Sequence, residues 1–176
     1  MVLLGWAVHG APVPVDDWFQ DLGADLGPRR DVLLLFTKPP LVAAALLAGV
    51  IVAVRQHRKR LAIAMVVSPI LAITVVRLVK PLFGREKEGS LAYPSGHTTF
   101  LVAVTTLLVV VAGPRLWALA VAVCVVVLGI FGLSMTFHYF TDTVGGVLLG
   151  TSVAGLAALW TGEPSTSISN APSDIR

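Results

Sequence analysis

The chain has 176 residues, of which 56% are hydrophobic and 13% charged, and its formal net charge is +3. Soluble domains are roughly 45–50% apolar and about 25% charged, so this composition excludes an ordinary soluble domain and predicts that a bilayer covers the surplus apolar surface. The basic residues lie in short loops between apolar segments, which favours topology and anionic membrane lipids over nucleic acid as the reason for the charge. Cys124 is the single cysteine, which excludes an intramolecular disulfide and a metal–thiolate cluster.

The first predicted element is an amphipathic helix over 13–26, within an N-terminal segment of residues 1–30. It is too polar to span a membrane, and we expect it to lie in the membrane interface, with a soluble cap helix as the alternative. Residues 1–10 lack the basic region of a signal peptide. The apolar positions at spacings of three and four are Val15, Trp18, Phe19, Leu22 and Leu26, and the polar positions between them are Asp16, Asp17, Gln20, Asp21 and Asp25.

Five apolar segments follow within a predicted transmembrane domain of residues 31–160, and the polar tail 161–176 is predicted to be disordered. A span needs about 17–25 residues, so the first and third segments need flanking residues to cross, and an earlier start of the first in 32–36 is an alternative. Pro69 predicts a kink in the second segment. The sequence therefore predicts an all-α, polytopic bundle of about five transmembrane helices plus the interfacial helix. The segments are 39–54, 61–79, 98–112, 116–137 and 144–160.

Five spans place alternate loops on opposite sides of the membrane. One side receives short loops without acidic residues, and the positive-inside rule assigns it to the cytoplasm. The other side receives the loop 80–94 and the turn 138–143, whose basic residues a binding site would explain separately. We therefore expect a protein of the plasma membrane with its site on the extracytoplasmic face. The basic residues of the first side are Arg55, Arg58, Lys59, Arg60 and Arg115.

The tetrapeptide Pro94-Ser95-Gly96-His97 is typical of a helix start, with Ser95 as its cap. Free N–H groups at such an end bind anions, and Gly96 lets a phosphate approach the backbone. His97 would then lie in the first turn, beside the anion. A capped helix with a surface histidine explains the tetrapeptide equally well when it is taken alone.

A second pair, His138 and Asp142, is spaced by four residues, so both side chains share one face if the segment is helical. A carboxylate on one ring nitrogen fixes the tautomer and makes the other nitrogen a better nucleophile. Taken alone, the pair is better explained as an interfacial His–Asp pair that caps helices.

A basic cluster ends the second segment and continues into the following loop: Arg77, Lys80, Arg85 and Lys87. Snorkelling to the headgroup region is the ordinary explanation of such residues, and neutralisation of a phosphate is the functional one. Glu86 and Glu88 weaken a purely electrostatic interpretation. The topology nevertheless brings this cluster, the tetrapeptide and the His–Asp pair to one membrane face, which favours a functional site.

In this order, the three groups of residues resemble the type-2 phosphatidic acid phosphatase family, which shares its active-site design with vanadium haloperoxidases. The resemblance covers roughly residues 17–160. The first family motif is a lysine followed seven and eight positions later by arginine-proline; Lys80 matches, and Lys87-Glu88 replaces the dipeptide. The second motif matches completely at 94–97. In the third, His138 and Asp142 match, whereas Phe131 and Gly132 stand where the family has serine-arginine.

The resemblance implies a two-step displacement on a polyprenyl (di)phosphate or a phosphatidic-acid-like lipid. His138 would form a phosphohistidine, Asp142 would orient it, and His97 would protonate the leaving oxygen and then help to activate water. Lys80, Lys87 and the Ser95/Gly96 backbone would hold the phosphate, and the scheme needs no metal or other cofactor.

The missing arginine removes a bidentate phosphate contact, which Arg85 or Arg77 would have to replace. Two alternatives stay open: a non-catalytic family member that binds lipid phosphate or scaffolds a partner, and a lipid phosphotransferase.

Overall fold

The computed structural model describes residues 1–162, so most of the predicted tail lies outside the described residues. The described chain is mostly helical, which confirms the predicted all-α class. A two-stranded antiparallel hairpin in the loop after α4 is the exception. The elements in chain order are α1 (Val2–Ala7), α2 (Pro14–Leu26), a 3-10 segment (Gly27–Thr37), α3 (Pro39–Arg55), α4 (Lys59–Phe83), β1 (Glu86–Lys87), β2 (Ser90–Leu91), α5 (Gly96–Ala112), α6 (Leu116–Ser134) and α7 (Phe140–Thr161).

Four helical stretches of the described residues are long and apolar enough to cross a membrane: Pro14–Arg55, of which α3 is the apolar end, and α4, α6 and α7. These stretches identify an integral membrane protein. The fifth predicted segment is α5, which is apolar but has only 17 residues. Residues 32–36, where the first span would alternatively start, form part of the 3-10 segment, and Lys38 is in an extended conformation before Pro39. Pro69 lies inside the continuous helix α4.

Helix α5 lies at the centre of the bundle, where it contacts α3, α4, α6 and α7. Its buried residues Leu101 and Val104 pack in one hydrophobic cluster with Val42 of α3, and Leu107 packs in a second with the fully buried Leu61 and Met65 of α4. The outward faces of α4 and α6 instead carry exposed leucine, valine and isoleucine side chains. Such a surface suits contact with lipid chains, since no polar group there has to be desolvated.

Helices α5 and α7 approach each other closely. An added Cβ at Gly146 would lie 2.7 Å from the backbone oxygen of Ser95, and one at Gly150 would lie 2.7 Å from that of Thr99. Small residues at such positions let two helix backbones approach closely. The Ser95 N–H donates to the backbone oxygen of Asp142 at 2.9 Å, so the start of α5 is fixed against the start of α7.

The predicted N-terminal helix is confirmed as α2, but its packed face coincides only in part with the apolar stripe. Asp16 is fully buried, whereas Trp18 is 56% exposed and Val15 39% exposed. The face that contacts the bundle consists of Asp16, Phe19, Gln20 and Gly23, at spacings of three, four and seven. Polar tertiary contacts therefore override the hydrophobic periodicity here, and the interfacial location of α2 stays a prediction.

Candidate active site

An open cleft of about 430 Å³ lies where α4 ends and α5 begins. Five of the nine predicted site residues line it, and the remaining lining residues are mostly apolar. This arrangement brings cationic, imidazole and backbone groups together beside an apolar wall. The predicted site residues in the cleft are Arg77, Lys80, Gly96, His97 and His138, and their neighbours are Thr37, Pro39, Ile73, Val76 and Phe100.

The predicted His–Asp pair forms at the start of α7. His138 lies in the turn after α6 and is 8% exposed, with Nδ1 3.9 Å from Oδ2 of the fully buried Asp142. The same Oδ2 accepts the Tyr139 N–H at 2.9 Å, so Asp142 also caps α7. The structure is compatible with both interpretations of the spacing, as a helix cap and as a His–Asp pair, because the Asp142 carboxylate caps α7 and also faces the His138 imidazole. A movement of roughly 1 Å would turn the 3.9 Å separation into a hydrogen bond.

The second imidazole belongs to His97, in the first turn of α5. Its side chain is exposed at the cleft, and its ring centroid lies 5.9 Å from that of His138. The predicted cap is confirmed: the Ser95 Oγ accepts the Thr98 N–H at 3.3 Å. Since the Ser95 hydroxyl is buried, the donors at this helix end are the N–H groups of Gly96 and His97, which have no carbonyl one turn earlier in the helix.

Two basic side chains line the cleft. The Lys80 ammonium donates to the backbone oxygen of Leu91, at the base of the hairpin, and this contact holds it at the cleft edge. Arg77 lies about one turn earlier on α4 and is exposed. Its guanidinium is therefore available to an anion in the cleft.

The other two predicted basic residues, Lys87 and Arg85, do not line the cleft and instead contact residues on either side of His138, Thr136 and Thr141. Lys87 donates to the backbone oxygens of Thr136 and His138, at 2.7 and 3.3 Å, and to the Gln20 Oε1 at 2.8 Å. Burial lowers the pKa of the Lys87 ammonium, although the nearby Glu88 carboxylate opposes this shift. Arg85 is 2% exposed. Direct contact of Lys87 and Arg85 with phosphate stays a prediction.

Sequence reasoning missed the partner of Arg85. Arg85 Nη2 donates to the Asp16 Oδ2 at 2.7 Å, and Nη1 donates to the Thr141 hydroxyl at 2.8 Å. On its other side, Arg85 Nε lies 3.5 Å from Asp142 Oδ1. The sequence signal was the acidic residue in the first turn of an amphipathic helix, which ordinarily indicates capping only.

A family model described as the PAP2 superfamily matches residues 77–165, just over half of the chain. The chain belongs to the PAP2 superfamily. No curated protein and no solved structure matches it. PAP2 proteins are generally phosphatases, so this is a member of a family of membrane phosphatases. The matched range contains every predicted site residue, whereas α1, α2, the 3-10 segment and α3 precede it.

The PAP2 chain has no space for an arginine at Gly132. An added Cβ there would lie 2.9–3.0 Å from the carbonyl carbon, the oxygen and the Cβ of Leu33, in the 3-10 segment. Phe131, at the other departing position, packs edge-on against Phe19 of α2, with ring centroids 5.3 Å apart. Helix α2 and the 3-10 segment therefore pack against the two positions where the family motif has its serine and arginine.

Within residues 1–162, no group of three or more His, Cys, Asp or Glu side chains is placed to hold a metal ion.

Proposed function

We propose that this PAP2 protein hydrolyses a lipid phosphate or diphosphate through a phosphohistidine intermediate on His138, without a metal ion. The observation that carries the proposal is the pair of imidazoles in one cleft, their ring centroids 5.9 Å apart, with the Asp142 carboxylate behind His138. One imidazole serves as nucleophile and the other as general acid and base.

In the first step, Nε2 of neutral His138 attacks phosphorus as the bond from phosphorus to the lipid oxygen breaks. Protonated His97 gives its proton to the leaving oxygen, so the lipid departs as an alcohol, or as a monophosphate if the substrate is a diphosphate. Asp142 keeps the proton of His138 on Nδ1 and stabilises the positive charge that develops on the ring.

In the second step, water attacks the phosphohistidine. His97, now neutral, takes a proton from the water as the phosphorus–nitrogen bond breaks. Inorganic phosphate leaves, and His138 returns to the neutral Nδ1–H tautomer. The proton that His97 gave to the leaving group is thereby replaced, and the cycle closes.

The phosphate oxygens are held by the groups that line the cleft. Arg77 and Lys80 supply positive charge, and the Gly96 and His97 N–H groups supply the dipole of a helix start. The Ser95 side chain acts by capping that helix start. Such fixed donors stabilise the charge of the transition state, which is the work that a metal ion does elsewhere.

The apolar residues of the cleft support a lipid substrate. Ile73, Val76 and Phe100 lie beside the basic and imidazole groups, so a headgroup and the first carbons of its chain fit one continuous surface. A polyprenyl or a phosphatidic-acid-like lipid meets this requirement. The opposite end of the bundle carries the basic loop with Arg58 and Lys59, which supports an extracytoplasmic site in the plasma membrane.

The test is phosphate release by the purified protein in detergent, from polyprenyl phosphates and phosphatidic acid, with EDTA present. Release by the wild type, its absence in His138→Ala, and an acid-labile phosphoryl group trapped on the wild type would support the proposal. The matched control is His57→Asn, because His57 lies in the opposite loop with φ 59°, a conformation that asparagine tolerates. Release that requires a metal, or that survives in His138→Ala, would contradict it.

The closed position at Gly132 favours one rival, a protein that binds lipid phosphate without hydrolysing it, because the bidentate arginine of the third motif is missing. Saturable binding of phosphatidic acid that depends on Lys80, with no release from any lipid, would establish this rival. Release that appears only with an alcohol acceptor would instead indicate a phosphotransferase.

A further inference from the structure

The Asp16 carboxylate is an unusual group to find on an N-terminal amphipathic helix. It is fully buried and accepts hydrogen bonds from the Val13 N–H at 3.1 Å, from Arg85 at 2.7 Å, and from the N–H and hydroxyl of Thr141 at 2.9 and 3.0 Å. A buried carboxylate is tolerated only when it is paired in this way. Thr141 directly precedes Asp142. Asp16 therefore binds both the backbone next to Asp142 and Arg85, whose guanidinium faces the Asp142 carboxylate.

Three buried side-chain atoms of the described residues lack a hydrogen-bond partner, and all three lie in one row: Arg85 Nε, Asp142 Oδ1 and His138 Nδ1. Arg85 Nε is 3.5 Å from Asp142 Oδ1, and Asp142 Oδ2 is 3.9 Å from His138 Nδ1. The contacts therefore form a chain from Asp16 through Arg85 and Asp142 to His138. The two contacts on either side of Asp142 are longer than an ordinary hydrogen bond. Catalytic hydrogen bonds are commonly long before substrate binds.

Arg85 is shared between the carboxylates of Asp16 and Asp142, and this sharing determines how many contacts it can make with Asp142. Both terminal nitrogens of the guanidinium are taken up by Asp16 and Thr141, so only Nε faces Asp142. Without the charge on Asp16, the guanidinium would be free to turn its planar fork onto Asp142 and take both carboxylate oxygens. That contact would draw Asp142 away from the His138 imidazole.

We propose that Asp16 is a positioning residue, which holds Arg85 in a one-point contact with Asp142 and thereby keeps the second oxygen of Asp142 on Nδ1 of His138. The inference rests on the proposed function, since it assigns a part in the same reaction. It also makes α2, which lies outside the matched range 77–165, a component of the active site. An ion pair that served only to attach α2 would be replaceable by apolar packing at no loss of stability.

The first test compares Asp16→Asn with the matched control Asp17→Asn, the neighbouring exposed aspartate of the same helix. We expect Asp16→Asn to lower kcat about 10- to 100-fold, the effect typical of a residue that orients a functional group, and to leave KM almost unchanged. Asp17→Asn should behave as wild type. Equal kcat values for the two variants would overturn the proposal.

The second test separates positioning from mere attachment of α2. If the loss in Asp16→Asn comes from Arg85 turning onto Asp142, adding Arg85→Gln removes the competing guanidinium and recovers part of the lost kcat. If Asp16 only attaches the helix, the double variant loses a further contact and is slower than the single one, which would contradict the proposal. Should Asp16→Asn not fold, the double variant, which removes one charge of each sign, is compared directly with Arg85→Gln. It is expected to be no slower, because Asp16 acts through Arg85, and a slower double variant would contradict the proposal.

A third measurement does not depend on turnover. The ¹⁵N shifts of His138, assigned by their loss in His138→Gln, report which ring nitrogen carries the proton. We expect the Nδ1–H tautomer in the wild type and in Asp17→Asn, and a mixture in Asp16→Asn. Absence of phosphate release by the wild type would refute the proposed function only, whereas an unchanged tautomer in Asp16→Asn would refute the role of Asp16.

Discussion

The contact between α5 and α7 is expected to set both the stability of the bundle and the geometry of the site, and Gly146→Ala tests this. The added methyl group would lie 2.7 Å from the Ser95 oxygen and 2.9 Å from the Thr98 Cβ. Since carbon atoms in ordinary contact stay about 3.5–4.0 Å apart, α7 must move outward by roughly 0.5–1 Å. Overpacking of this kind costs about 1–3 kcal/mol, and the better helix propensity of alanine returns about 1 kcal/mol, so unfolding should become easier by roughly 0–2 kcal/mol.

The effect on activity should be larger than the effect on stability. Ser95 carries the backbone contact to Asp142, so the same shift separates His97 on α5 from Asp142 on α7 and from His138 in the turn before it. A misplacement of about 1 Å costs on the order of 100-fold in rate, so we expect kcat/KM to fall about 10- to 100-fold.

The matched control is Gly155→Ala, on the same helix, because a Cβ at Gly155 has no neighbour within 4 Å. This variant should gain up to about 1 kcal/mol of stability and keep its activity. Thermal unfolding in detergent measures the first quantity, and phosphate release from a lipid phosphate measures the second. Equal unfolding temperatures and equal kcat/KM for the two alanine variants would refute the reasoning.

Three further predictions concern single side chains. His97→Gln should slow the first step, measured as the burst of leaving group before water attacks the phosphohistidine, far more for a lipid alcohol than for a good leaving group such as nitrophenol. His138→Gln should abolish both bursts, and equal losses of the two bursts in His97→Gln would contradict the role of His97 as general acid. Arg77→Ala and Lys80→Met should each weaken binding of inorganic phosphate about 10- to 100-fold in competition assays, because each removes a charged donor worth about 1.5–3 kcal/mol, and unchanged inhibition would exclude a direct contact. Burial raises the pKa of Tyr93 to about 12, so its neutral form, which donates to the Met1 oxygen at 2.6 Å, stabilises the fold below the unfolded pKa of about 10. That contribution is lost as the pH rises towards 12, so the unfolding temperature of the wild type should fall more steeply over this range than that of Tyr93→Phe.

The sequence predicts the helices of the bundle because apolar length alone identifies a span. Local chemistry then sets their ends. Helix α5 begins two residues before the predicted apolar segment because Ser95 caps it, and α6 ends at Ser134, three residues before the predicted limit, because the chain turns there towards His138. Periodicity does not detect such ends, since a cap or a turn depends on one or two residues.

The candidate site could be predicted only where its residues are close in sequence. The motif 94–97 indicated the start of α5, and a spacing of four indicated the pair His138 and Asp142. Both became candidate site residues only when the predicted topology brought them to one membrane face. Asp16 could not be found in this way, because its role depends on Arg85, 69 residues later, and on Thr141, 125 residues later. The hydrophobic periodicity of α2 does not indicate which of its aspartates turns inward to pair with a buried guanidinium instead of facing water.

Three residues that depart from the family motifs, Lys87, Phe131 and Gly132, contact the part of the chain that precedes α3. Leu33 fills the space beside Gly132 that an arginine side chain would need. Lys87 bonds to Gln20 of α2 and to the backbone oxygen of His138, a set of oxygens that suits the compact ammonium of lysine better than a planar guanidinium. Because Gly132 packs against Leu33, restoring a family arginine there would have to displace the 3-10 segment. Among the described residues, the guanidinium that lines the cleft is that of Arg77.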